Sequence, residues 1–308
     1  MLKIGLKKFI LGIFLIVTFL IFNFSSSCGA EELIAVPDFP PPVSAPPVNE
    51  LPGFGTPPSS RLKLMTFNVH HGTDMNGFFN LEAVVETIRQ SGADIIALQE
   101  VDRVWGGRSL YYNEARFIAE ELFMNYAFGA TISQNSFLPG RGEFGMMVLS
   151  KYPILSNSFR LLPSIMEQRG ILLCLIQTPG RVIPVACTHL GLSALDWESQ
   201  ITDILNWLPL QDDVILLGDF NAVVGPNELI RFEGRFTDLQ RECGLSESGT
   251  FLMGENWVRI DYVFAGNRWR PANCQVINSQ SSDHLPVYVE IEPAINDQEL
   301  SLLTPLLL

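Results

Sequence analysis

Histidine is the scarcest ionisable residue of this 308-residue chain, with four in all, and cysteine is hardly commoner at five. Five cysteines over that length do not make a disulfide framework, so an apolar core has to hold the fold. Neither a His-x-x-x-His nor a Cys-x-x-Cys pair occurs, which argues against a zinc centre of the usual spacing. Basic residues are also in deficit: 20 Lys+Arg against 33 Asp+Glu give a net charge of −13. Setting aside Lys3, Lys7 and Lys8 of the N-terminal segment leaves −16. Binding duplex nucleic acid by counterion release needs a broad basic face, so no stable nucleic-acid complex is expected. An acidic enzyme can still cut nucleic acid in passing. There is no internal repeat. What is present in quantity is apolar: 47% hydrophobic against 17% charged residues, neither disordered nor collagen-like, and enough to bury a sizeable core.

Residues 1–36 read as a targeting segment. Lys3, Lys7 and Lys8 precede an almost unbroken apolar run from Phe9 to Phe24. Sixteen helical residues rise about 24 Å, short of the roughly 30 Å hydrocarbon core, which favours a signal peptide over a membrane span. Ser25-Ser26-Ser27-Cys28-Gly29-Ala30 then supplies small residues for cleavage. Cys28 is either the lipid-bearing first residue of a lipoprotein or part of a peptidase site ending at Ala30, with an uncleaved anchor as a third reading. All three place the rest of the chain outside the cytoplasm, secreted, periplasmic or tethered to a membrane.

Residues 37–60 hold nine of the twenty prolines and form an extended linker. Residues 294–308 carry the apolar stretch Leu302-Leu303-Thr-Pro-Leu-Leu-Leu308 and read as a tail. Between them, 61–293 forms one domain, expected to be a monomer. Apolar runs bounded by turn residues predict strands over Leu62–Val69, Asp94–Gln99, Ile171–Gln177, Val182–Thr188 and Val214–Leu217. Asn80 is a helix N-cap, Leu81, Val84, Val85 and Ile88 recur at helical spacing, and Gly92 ends the element. A second helix is predicted near Asp196–Leu208, and Thr178-Pro-Gly-Arg181 reads as a hairpin turn. Crossovers and hairpins together predict α/β or α+β layers.

The polar residues sit where these strands end. Asn68, Glu100 and His189 each end an apolar strand, Asp219 and Asn221 follow another, and Asp283-His284 precede a fifth. Any one of these is ordinarily a turn former or cap. All four histidines, His70, His71, His189 and His284, lie in such positions, however, and strand ends can converge on one crevice. The mixture suits phosphoester hydrolysis. Carboxylate and amide oxygens bind a hard divalent ion, a carboxylate activates water, and amide and imidazolium donors meet charge on phosphorus.

The strings Thr66-Phe-Asn-Val-His-His-Gly72, Leu98-Gln-Glu-Val-Asp102, Thr188-His-Leu190, Gly218-Asp-Phe-Asn221, Ile260-Asp-Tyr-Val263 and Ser282-Asp-His-Leu-Pro286 resemble the endonuclease/exonuclease/phosphatase superfamily. The resemblance spans essentially all of 61–293. It implies a four-layered α/β sandwich, two mixed β-sheets face to face with helices outside, and Mg²⁺ (or Mn²⁺) as cofactor. By this resemblance Glu100 is the principal metal ligand, and Asn68 places metal or phosphate. Asp219 activates water, Asn221 contacts phosphate, His284 stabilises the transition state and Asp261 fixes its ring. Asp283 lies beside metal and phosphate, and His189 makes a second phosphate or leaving-group contact. Some nucleases of the family carry a carboxylate two residues after the Asn, where this chain has His70. Arg108 and Arg169 are candidate phosphate clamps or structural arginines.

The resemblance implies a metal-dependent phosphoester hydrolase. Its substrate is open among small molecules, lipid head groups and nucleic acid, with the acidic charge and the tether favouring the first two. A secreted or tethered nuclease is the alternative, and a non-catalytic binding module on the same scaffold is a second. The complete set of acids, amides and histidines argues against the latter.

Overall fold

The computed structural model describes residues 61–136, 140–223 and 229–294. The predicted targeting segment, the linker and all but Ala294 of the tail lie outside the described residues, as does 137–139 in the stretch Phe137–Phe144.

Alternating side chains build the centre of the domain. In β1 (Leu62–Asn68), Leu62 and Leu64 point to one core while Met65 and Phe67 point to another. β1 lies parallel to β2 (Ile95–Arg103), and the right-handed crossover rule makes the intervening helix α1 (Leu81–Ser91) cover one face. Asn80 caps α1 by accepting from the Ala83 N–H, and Gly92 closes it in the left-handed conformation, as the sequence predicts. A second helix, α2 (Glu114–Leu122), packs beside it, capped by Asn113. The strands β3 (Asn125–Asn135), β4 (Arg141–Ser150), β13 (Trp269–Val276) and β14 (Val287–Pro293) complete a six-stranded sheet ordered β13-β14-β1-β2-β4-β3.

The second sheet repeats the plan. Its order is β5-β6-β7-β8-β12-β9, from β5 (Ile154–Leu161), β6 (Gly170–Thr178), β7 (Arg181–His189), β8 (Ile215–Asp219), β9 (Thr237–Asp238) and β12 (Asp261–Ala265). Here β7 and β8 are the parallel pair, joined through α3 (Ala194–Trp207), and β6–β7 is the predicted hairpin. Two short helices, α4 (Ile230–Glu233) and α5 (Leu239–Glu242), and a small ribbon of β10 (Phe251–Met253) and β11 (Asn256–Val258) fill out this half.

Leu62, Leu64, Ile95, Ala97 and Val289 of the first sheet meet Val185, Cys187, Ile215, Leu217 and Val263 of the second in one buried layer. The outer face of the first sheet packs on α1 and α2, and that of the second on α3 and a Phe220, Phe232, Phe264 cluster. The protein is therefore a four-layered sandwich of two mixed sheets with helices outside. One disulfide, Cys243–Cys274, ties the end of α5 to β13. The cysteine count gave no sign of it.

Candidate active site

The inward-facing parity that builds the core also builds the site. Asn68 continues Leu62, Leu64 and Thr66; His189 continues Ile183, Val185 and Cys187; Asp219 continues Ile215 and Leu217. Asp261 precedes Val263 and Ala265 on the same face of β12. His189 pairs with Asp219 across β7–β8, and Asp219 with Asp261 across β8–β12, so the three form one row. Asn68 reaches this row from the opposite sheet, its Nδ2 donating to Asp219 Oδ2 at 3.1 Å. Below it, Gln99 Nε2 donates to Thr66 Oγ1 at 3.2 Å and lies 3.3 Å from Cys187 Sγ, a polar floor between the sheets.

Two backbone devices set the row. Gly218 faces β7 so closely that a Cβ there would lie 2.1 Å from the Thr188 carbonyl oxygen. Phe220 then turns outward into the Tyr262, Phe232 and Phe264 rings, leaving Asp219 and Asn221 facing inward. The Tyr262 hydroxyl donates to the Ala222 carbonyl at 2.9 Å and fixes the segment from outside.

Asp219 is buried and accepts from the Asn221 N–H at 2.9 Å. Burial and then the Asp261 charge push its carboxyl up to about 7, against the opposing pull of His284, Asn221 and Asn68. His284 Nδ1 donates to Asp261 Oδ2 at 2.9 Å, and its Nε2 lies 3.8 Å from Asp219 Oδ2. Burial alone would lower this imidazole, but Asp261, by charge and hydrogen bond, and then Asp219 and Asp283 raise it to about 10. Its ring packs on Phe251 with centroids 4.8 Å apart. The Ser282 hydroxyl, which the sequence reading left without a role, donates to the Asn68 carbonyl at 2.7 Å and accepts from the His284 N–H. It locks the His284 loop to β1.

His189 is a different histidine. Arg169 Nη1 lies 3.1 Å from its Nδ1, so that nitrogen accepts and the ring hydrogen sits on Nε2. Nε2 lies 3.4 Å from Asp219 Oδ2, while Asn221 Nδ2, 3.0 Å from that nitrogen and likewise a donor, gives its hydrogen bond to the Leu190 carbonyl at 2.9 Å. Burial, then the charges of Arg169 and His284, hold His189 well below its usual value, so it is neutral.

Glu100 stands apart from this row. It occupies a β-bulge of β2, at the register shift between Gln99 and Val101, with φ at 59°. Its Oε1 accepts from Asn68 Nδ2 at 3.0 Å. Asn68 Oδ1 accepts from the His70 N–H, so the amide is engaged on both atoms and links Glu100 to Asp219. Beside Glu100 stand His70 and His71, and the three offer nitrogen and oxygen atoms within 4.8 Å of one another. Burial, Arg108 and His70, in that order, press His71 down to about 3. Asp283 Oδ1 lies 3.6 Å from His70 Nδ1.

The two arginines prove to be tied to the protein. Arg108 forks Asp102, Nε to Oδ2 at 2.9 Å and Nη2 to Oδ1 at 2.7 Å, and lies over the Trp105 and Phe144 rings. Arg169 is buried against Glu167 and His189. Both fit structural arginines better than clamps, because a guanidinium already forked to a carboxylate or enclosed in the protein has little left to offer a phosphate. The sequence reading noted His70 and His71 at a strand end but assigned them no role. Their adjacency to Glu100 depends on a bulge and a turn that it did not foresee.

Comparison with known proteins bears on the family and the fold. The pattern of the Endonuclease/Exonuclease/phosphatase family matches residues 65–284. The uncharacterized protein YbhP of Escherichia coli (strain K12) is 29% identical over 250 residues, covering 74% of this chain and 95% of that one. Among solved structures, an endonuclease/exonuclease/phosphatase from Beutenbergia cavernae superposes with a TM-score of 0.65 at 21% identity, over 76% of this chain and 72% of that one. TDP2 of D. rerio, complexed with single-strand DNA product, gives 0.58 at 16% identity, over 76% and 100%. At these identities the solved structures establish the fold, while the sequence pattern carries membership. The chain belongs to the endonuclease/exonuclease/phosphatase family.

Proposed function

We propose that this protein is a divalent-metal-dependent phosphoester hydrolase working outside the cytoplasm, with Asp219 as the base for an attacking water. The observation that carries this reading is the buried row His189–Asp219–Asp261, with His284 hydrogen-bonded to Asp261 and facing Asp219. A carboxyl held near neutrality accepts a proton from water at working pH. An imidazolium fixed by Asp261 presents its Nε2–H to charge developing on phosphorus. Neutral His189 and the Asn221 amide donate without adding charge, suiting them to orient a phosphate oxygen or a leaving group.

Glu100, with Asn68 and Asp283 alongside, is the place for Mg²⁺ or Mn²⁺. The fit rests on Glu100 standing with His70 and His71, each offering a ligand atom within 4.8 Å of the others, and on the unpartnered Nδ1 atoms of those two rings. A divalent ion there supplies positive charge to the phosphate oxygens.

The compartment is supported by the apolar N-terminal segment and by the Cys243–Cys274 disulfide, since such bridges persist in oxidising surroundings. Among the described residues no helix is long and apolar enough to cross a membrane. Acyl mass on a mature N-terminus at Cys28 supports the lipoprotein form; a mature chain starting at Glu31 excludes it. For the substrate, a small or lipid phosphodiester is favoured over nucleic acid. The segment before Arg169 and the one that runs from His189 into the first turn of α3 expose Ile165, Met166, Leu192 and Leu195, and the Ile165 N–H donating to Asp196 holds them together. Exposed apolar side chains beside a site suit an amphiphilic substrate.

The test is a metal-dependent turnover screen of the full-length protein on bis-p-nitrophenyl phosphate, phospholipids, RNA and plasmid DNA. Turnover of either of the first two above the nucleic acids is expected. Plasmid nicking without small-ester or lipid activity overturns the substrate, and no turnover of any of the four with Mg²⁺ or Mn²⁺ overturns the hydrolase.

A further inference from the structure

Two adjacent histidines in an extended or helical chain point different ways, yet His70 and His71 have ring centroids 4.4 Å apart. The backbone is what brings them together. His70, His71 and Gly72 take φ of 45°, 44° and 71° in succession in a short turn after β1. Left-handed backbone is costly for a non-glycine residue. Glu100 has the same conformation, at its bulge. Among the eight described non-glycine residues with positive φ are all three of His70, His71 and Glu100. Strain at every donor of one cluster marks a place where side-chain position outweighs backbone comfort.

The turn is over-determined, which is how the strain persists. The His70 N–H donates to Asn68 Oδ1, the Gly72 N–H to the Val69 carbonyl and the Thr73 N–H to the His70 carbonyl. Only glycine fits at 72, where a Cβ would sit 2.8 Å from the Phe79 ring. The rings themselves are left incomplete. The Nδ1 atoms of both His70 and His71 are buried and have no hydrogen-bond partner. An unsatisfied buried polar atom is destabilising, a cost that a ligand removes. The nearest candidate counter-group, Asp283 Oδ1, lies 3.6 Å from His70 Nδ1, too far for a good hydrogen bond.

We propose that His70 and His71 join Glu100 in one metal site, making it a mixed imidazole–carboxylate centre that takes a first-row transition dication in preference to Mg²⁺. This deepens the hydrolase reading by naming the class of ion, and rests on it only for the ion's use in catalysis. The chemistry is that of the donor set. Mg²⁺ favours oxygen ligands and sheds water reluctantly, whereas imidazole nitrogen suits Mn²⁺ less than Co²⁺ or Zn²⁺ but all of these better than Mg²⁺. Two nitrogens and the Glu100 oxygen, within 4.8 Å of one another, give three protein ligands on one side. Open positions remain for water and phosphate, as a catalytic rather than a structural centre requires. Arg108, whose charge reaches His71, is forked to Asp102, and that carboxylate offsets part of the charge.

The experiment is metal binding to the full-length protein without substrate, so its outcome does not depend on turnover. Calorimetric titration with Mn²⁺, Co²⁺ and Mg²⁺ is made on the wild type, His70→Gly, His71→Gly and Glu100→Gln. Glycine is chosen because it adopts positive φ without strain and leaves the turn intact. The wild type is expected to bind Mn²⁺ at least about tenfold more tightly than Mg²⁺, and Co²⁺ more tightly still. Each glycine variant should lose about ten- to a hundredfold in Co²⁺ and Mn²⁺ affinity while Mg²⁺ changes little. Glu100→Gln should weaken all three. Pulsed electron paramagnetic resonance of Mn²⁺-loaded protein should show ¹⁴N coupling that disappears in the double glycine variant. Equal Mg²⁺ and Mn²⁺ affinities, glycine variants that bind Co²⁺ as the wild type does, or Mn²⁺ without ¹⁴N coupling each overturn the proposal. The hydrolase reading stands or falls separately, on turnover.

Discussion

The two halves of the site differ in how far the protein completes them by itself. At the end of the second sheet, Asp219, Asp261 and His189 are buried together with His284, which the loop before β14 brings across from the first sheet, and each meets hydrogen-bond partners within the chain. Asp261 Oδ1 is the one unpartnered oxygen of these two carboxylates. On the first sheet, Glu100, His70 and His71 are partly exposed, stand on strained backbone and leave two imidazole nitrogens unmatched. A half that satisfies itself fixes protonation states in advance, which is what acid–base chemistry needs. A half left unsatisfied is finished by what it binds. Asn68 joins them through one side-chain nitrogen, so the Glu100 and Asp219 carboxylates are held in one register.

The largest effect should come from the completed half. Asp219→Asn is nearly isosteric but cannot take a proton, so kcat should fall by roughly 10²–10⁴ with a smaller change in KM. Steady-state kinetics on the best ester substrate decide it, and a loss confined to KM contradicts the assignment.

Next in size is the His284–Asp261 pair. Each alanine variant should cost activity, and the double variant little more than the worse single, because the two act as a unit. Losses that multiply in the double variant return Asp261 to a purely structural role.

Glu100→Gln probes the unfinished half. It should raise the metal concentration for half-maximal activity by roughly ten- to a hundredfold, with partial rescue at high metal. Activity across a metal titration is the measurement, and an unchanged curve places the ion elsewhere.

The pH profile separates the halves more gently. Asp219 must be ionised, so activity should rise as pH passes through about 7. His284 must be protonated, so activity should fall as pH passes through about 10. Asp261→Asn should move the alkaline limb to lower pH, because burial then lowers the ring unopposed by that charge. An alkaline limb that stays in place in this variant removes Asp261 from the control of His284.

The smallest effect on chemistry should come from the disulfide. Cys274→Ser opens a bridge between residues 31 positions apart. Stability should drop by about 3–4 kcal/mol, seen as a lower Tm, with activity per folded molecule unchanged at 25 °C.

Much of this was legible in the sequence because it is local. Alternation in Leu62–Asn68 and Ile215–Asp219 places the last residue of each strand on the inner face whatever the fold around it. Asn80 and Gly92 bracket a helix by their own hydrogen-bonding and conformational preferences. The longer strands β3, β4 and β5 and the helix Glu114–Leu122 were not foreseen. Their apolar residues are interrupted by glycine and polar positions, so no clean period stands out in segments such as Asn125–Asn135.

By itself, then, the sequence determined which residues end the central strands, which family pattern they form, and so the place of Asn68, His189, Asp219, Asp261 and His284. Tertiary structure decided the rest. Which histidine is charged follows from burial and neighbours: His284 lies against Asp261 and Asp219, while His189 lies against Arg169. Which cysteines pair could not be read from five spaced thiols. That His70 and His71 turn toward Glu100 depends on left-handed backbone at all three, a conformation uncommon for any non-glycine residue, which the packed turn and the bulge impose. Alternation and capping act over a few residues, whereas charge state, pairing and convergence are set by groups brought together across 20 to more than 150 positions of chain.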